Sequence, residues 1–146
     1  MVNDGGDIAT VGQAIQLSVA PVFLLSAIGG MLSVMTNRVA RIVDRARTVE
    51  SRLEAAGPDD RKNLEGDLAV LSRRVKLIQR AITFCTLTAI CVCTVVANLF
   101  LGAFFRFHSA LPVAGLFVTA MAMFLAGLLF FLREIFLATS SLRIGR

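Results

Sequence analysis

The sequence predicts an all-α integral membrane protein: three transmembrane helices with a cytoplasmic antiparallel helical hairpin between spans one and two. Three observations lead there. Three apolar runs are each long enough to cross a bilayer, 11 of the 15 basic residues fall between the first two runs, and that basic segment carries an apolar repeat of its own. With 56% hydrophobic residues and a mean hydropathy of +0.76, the 146-residue chain is too apolar for a soluble domain of its size. It contains 11 Phe but no Trp or Tyr, so arginine must supply most of the interfacial anchoring.

The segment 1–12 reads as an outside tail; it holds acids and no basic n-region, so a cleaved signal peptide is not expected. Span one, 15–35, is "IQLSVAPVFLLSAIGGMLSVM". Pro21 removes the hydrogen bond to the Leu17 carbonyl and is expected to kink this helix. Ser26, Gly29, Gly30 and Ser33 form small-xxx-small pairs that admit a neighbouring helix backbone. Helix packing is the simpler reading of these residues, and a hinge at Pro21 and Gly29–Gly30 is the functional one.

In the cytoplasmic hairpin, 37–80, Val39, Ile42, Ala46, Val49 and Leu53 recur at steps of three and four. "AGPDD" breaks the pattern: Gly57 suits a helix C-terminus, Pro58 cannot continue it, and Asp59 or Asp60 can cap the next helix. Leu64, Leu68, Leu71, Val75, Ile78 and Ile82 then form a second stripe. Its beat continues through Cys85, Ala89, Val92, Val96 and Leu99, so one helix is expected from Asp60 to Phe105. Span two occupies 81–105, an outside turn 106–110, span three 111–132 and a cytoplasmic tail 133–146. Only Arg106 lies in the turn, three basic residues follow span three, and the tail 1–12 has none. Basic residues resist export, which predicts an N-terminus outside and a C-terminus in the cytoplasm.

Candidate sites follow from polar residues at membrane depth. On span two, Leu87, Cys91, Thr94 and Asn98 share one face, and Asn98 needs hydrogen-bond partners there, most simply a serine or backbone carbonyl of another helix. Several copies of this face would line a pore, with Arg73, Arg74, Lys76 and Arg80 as a basic cytoplasmic mouth. One chain cannot, because three helices pack around their own side chains and leave no lumen. Glu134, the last acid in the chain, is expected to form an interfacial salt bridge with Arg80 and Arg38, latching span three to the cytoplasmic helices. Cys85, Cys91 and Cys93 read as reduced packing residues, and lone His108 as a turn residue. No metal set, cofactor loop or nucleophile with a base is evident, so no enzyme is expected.

"IQLSVAPVFLLSAIGGMLSVMTNRVARIVDRAR" and the closing "FLREIFLATSSLRI" resemble the small bacterial membrane family known as domain of unknown function 2721. The resemblance runs from about Ile8 to Ile144 and implies a three-span protein of the bacterial inner membrane; it implies no activity. Two functions remain open. The specific expectation is a homo-oligomeric ion-conducting pore lined by span two with basic residues at its cytoplasmic mouth. The alternative is a structural or regulatory module whose hairpin docks a soluble partner or anionic lipid. The expected partners are the bilayer, further copies of the chain and a soluble protein, and not nucleic acid.

Overall fold

A computed structural model describes residues 4–105 and 110–142. Three helices account for them: α1 (Asp4–Ala55), α2 (Pro58–Phe105) and α3 (Ala110–Leu142). Helix α1 starts inside the segment read as a tail. It runs without a break through Pro21 and on past Met35, so span one and the first hairpin arm are one helix. The turn 106–109, with Arg106 and His108, lies outside the described residues.

All three helices are long and apolar enough to cross a membrane, and no more than 22% of any of their most apolar windows is buried within the chain. Side chains such as Phe23, Val118, Leu125 and Phe136 point outward. Surface this apolar would be untenable in water and is what a bilayer requires. This is a multi-pass membrane protein.

The join between α1 and α2 corrects the sequence reading in two details. Gly57 does not adopt a left-handed conformation. Instead α1 closes with a tightened turn, Ala56 N–H to Leu53 C=O at 3.4 Å, and the Gly57 carbonyl accepts the Arg61 N–H at 3.1 Å. Pro58 is therefore the first residue of α2, where its missing N–H costs nothing. Asp59 and Asp60 sit within the first turn rather than before it, and favour the helix through its dipole.

The chain divides into two compact units, each drawing on all three helices. The first comprises Met1–Gly30 and Cys85–Leu125. Its core holds Ala14, Ser18, Pro21 and Ile28 of α1, Cys85, Thr88, Val92 and Val95 of α2, and Ala120 of α3. Ser18 needs no other helix, since its hydroxyl donates to the Ile15 carbonyl at 2.8 Å. The second unit comprises Met31–Phe84 and Ala126–Arg146. Its core holds Met35 and Ile42 of α1, Leu71, Ile78 and Ala81 of α2, and Gly127, Phe131 and Glu134 of α3. Every residue of the two stripes read from the sequence is buried or half-buried, none exposed. The four-three beat thus marks the inward face of each helix.

Candidate functional site: a buried glutamate between two arginines

In the second unit, α3 places Gly127, Phe131 and Glu134 on its inward face by successive steps of four and three. The same geometry that buries Phe131 therefore buries Glu134, which is 0% exposed. A buried carboxylate is tolerable only if its lone pairs are met, and two arginines meet them. Arg38 of α1 donates Nε–H to Oε2 at 3.1 Å, and its Nη2 lies 2.9 Å from the same oxygen. Arg74 of α2 donates Nε–H and Nη2–H to Oε1 at 3.1 and 2.9 Å. Three charge-assisted hydrogen bonds and one further guanidinium nitrogen at ion-pair distance converge on one carboxylate, and among the described residues no buried side-chain nitrogen or oxygen lacks a partner.

Position along the inward stripes explains which arginines are used. Arg38 stands next to Val39 between Met35 and Ile42, and Arg74 next to Val75 between Leu71 and Ile78. At about 100° per residue, each stands roughly 40° from its stripe neighbour one turn further along the chain, Ile42 and Ile78 respectively. Both arginines are nearly the same number of residues from the Ala56–Gly57 link, so α2 doubles back along α1 at least to this rung. The Arg38 guanidinium also sits 5.6 Å from the centre of the Phe131 ring, a cation–π contact that orients it. The arginine stems are partly exposed, 28% and 15%, while the carboxylate is sealed.

Arg80, expected at Glu134, is exposed and takes no part in this cluster; Arg74 holds the place instead. From Ile78 to Arg80 the helix turns about 200°, which aims Arg80 away from the core. Arg80 also lies six residues beyond Arg74, about 9 Å further along α2.

A family model described as a protein of unknown function, DUF2721, matches residues 18–144, a stretch containing Arg38, Arg74 and Glu134. The chain belongs to the DUF2721 family. No curated protein and no solved structure matches it.

The other candidate residues of this DUF2721 chain are distributed as follows. Leu87, Thr94 and Asn98 are exposed and Cys91 half-exposed, so the proposed pore face does point away from the core. Thr94 and Asn98 each bond to their own helix. Thr94 donates to the Ile90 carbonyl at 2.9 Å, and the Asn98 amide donates to the Thr94 carbonyl at 2.9 Å, not to another helix. Asn98 also borders a groove of about 470 Å³ with Leu101, Gly102, Phe105, Pro112, Val113 and Leu116. Of the basic mouth, Arg73, Lys76 and Arg80 are exposed, while Arg74 is turned inward.

Ser26, Gly29, Gly30 and Ser33 are exposed, and no atom would lie within 4 Å of a Cβ at either glycine. The small-residue pairs therefore serve no close approach within the chain. Pro21 is buried in an unbroken helix. Of the cysteines only Cys85 is buried; Cys93 is exposed and is not a packing residue.

Proposed function

We propose that this chain is a non-enzymatic, multi-pass module of a bacterial inner membrane, N-terminus outside and C-terminus in the cytoplasm. In this reading Glu134 latches span three to the cytoplasmic helices 37–80, which present a platform to a soluble partner. The buried carboxylate with its two arginines carries the proposal. Holding one α3 residue against both α1 and α2 makes the cytoplasmic helices and the membrane helices respond together. The distal end of the platform is polar and exposed, with Arg61 paired to Glu65 at 3.4 Å across one helical turn. Such a solvated pair adds little stability, which leaves it free for recognition. Pull-down with the full-length protein is expected to recover a soluble protein that an Arg61→Glu/Lys62→Glu variant does not. Equal recovery by both would remove the platform role.

A second reading, a homo-oligomeric ion-conducting pore, is favoured by the outward face of Leu87, Thr94 and Asn98. Several copies would bring these faces together, with Arg73, Lys76 and Arg80 at the cytoplasmic mouth favouring anions. Liposomes containing the protein should then show an anion flux that Asn98→Leu reduces severalfold. A flux no greater than that of Asn98→Leu, or a monomer in nanodiscs, sinks the pore.

A further inference from the structure

We infer that Lys76, Gln79 and Arg80 bind the phosphate of an anionic phospholipid headgroup, with Thr83 and Phe84 continuing the site toward the acyl chains. These five residues line one shallow groove of about 250 Å³ on α2. Lys76, Arg80 and Phe84 follow one another at steps of four, and Gln79 and Thr83 form the adjacent ridge. The chemistry therefore changes along the groove in one direction: two cations and an amide first, then a hydroxyl, then an aromatic ring. That is the direction in which α2 enters its apolar run. A phospholipid presents the same order, from phosphate through glycerol to hydrocarbon.

The two ends of the groove are built differently. Phe84 stacks on Phe130 of α3, with ring centres 5.5 Å apart and planes 16° apart, which fixes the apolar end. The Thr83 hydroxyl donates to the Gln79 carbonyl at 2.9 Å. The phosphate would thus take its hydrogen bonds from the Lys76 ammonium, the Arg80 guanidinium and the Gln79 amide.

Charge placement supports an external anion. Between Asp67 and Glu134 the chain has no acidic residue. Glu134 itself is already held by Arg38 and Arg74. Among the described residues, neither Lys76 nor Arg80 is in an ion pair. They are exposed like charges one turn apart, a spacing at which they repel unless an anion lies between them. Free phosphate would satisfy the cations but leave the Phe84 end unused, and basic residues at the cytoplasmic boundary are where anionic lipids gather.

The inference rests on the membrane reading above but not on the Glu134 latch, so the two can fail separately. Full-length protein in neutral detergent, titrated with phosphatidylglycerol or phosphatidylcholine, is read by native mass spectrometry. Phosphatidylglycerol is expected to bind about tenfold or more tightly than phosphatidylcholine, as two interfacial cations should provide. Lys76→Gln/Arg80→Gln should abolish that preference, whereas the charge-preserving Lys76→Arg/Arg80→Lys and the distal Lys62→Gln should retain it. The first pair of substitutions lies on the surface, and an unchanged melting temperature will show the fold intact. Equal binding of the two lipids, or an undiminished preference in the Gln/Gln variant, would overturn the assignment. Displacement of phosphatidylglycerol by inorganic phosphate at comparable concentration would overturn the lipid in favour of the free anion.

Discussion

Glu134→Gln is expected to lower the stability of the protein by ~2–4 kcal/mol, read as a fall in melting temperature of roughly 10 °C in detergent or nanodiscs. The substitution hardly changes the volume at a position that is 0% exposed. What it removes is the anion that two guanidinium groups share at 2.9 Å each. Arg38 and Arg74 would then face each other across a neutral amide able to accept with only one of its two groups. Their partial exposure, 28% and 15%, lets water relieve some of that repulsion and keeps the loss toward the lower end of what a fully buried broken pair costs. Replacing all three charges, with Glu134→Leu, Arg38→Met and Arg74→Met together, should restore most of the stability, because no buried charge is left unpaired. If the triple variant is stable yet fails in the cell, the charges serve more than the fold.

Arg74→Met and Arg80→Met are expected to differ sharply, although the two positions are less than two turns apart on α2. Arg74→Met leaves Oε1 of Glu134 without its two donors, and a loss of ~2–3 kcal/mol is expected, moderated because Arg38 still holds Oε2. Arg80→Met changes an exposed side chain outside the cluster and should stay within about 0.5 kcal/mol of the parent. Thermal unfolding of the two variants side by side checks this. An equal loss in both would mean that the basic residues act only through their summed charge.

The fold was legible because membranes impose coarse rules. Length and apolarity marked the three helices, and the four-three beat from Leu64 onward correctly foretold an α2 unbroken to Phe105. Less legible was the continuity of α1, since a change from apolar to basic composition at Asn37 alters the solvent but does not end a helix. Glu134 was recognisable as the acid to watch, and Arg38 as its neighbour. Helical phase and a rise of about 9 Å both separate Arg80 from Arg74 and so from Glu134. The stripe through Leu71, Val75 and Ile78 already contained the answer, since Arg74 lies beside it and Arg80 opposite. The complete burial of Glu134 could likewise have been read from its step of three after Phe131. The local bonding of Asn98 could not, because an amide on a helix can fold back onto its own backbone wherever no partner is closer.

The latch between α3 and the two preceding helices is tested most directly by double-mutant cycles pairing Glu134→Gln with Arg38→Met, Arg74→Met and Arg80→Met in turn. Groups in contact share an interaction energy that distant groups do not. Coupling of about 1.5 kcal/mol or more is expected for Glu134 with Arg38 and with Arg74, and coupling near zero with Arg80. Equal coupling to all three arginines, or none to Arg74, would contradict the latch.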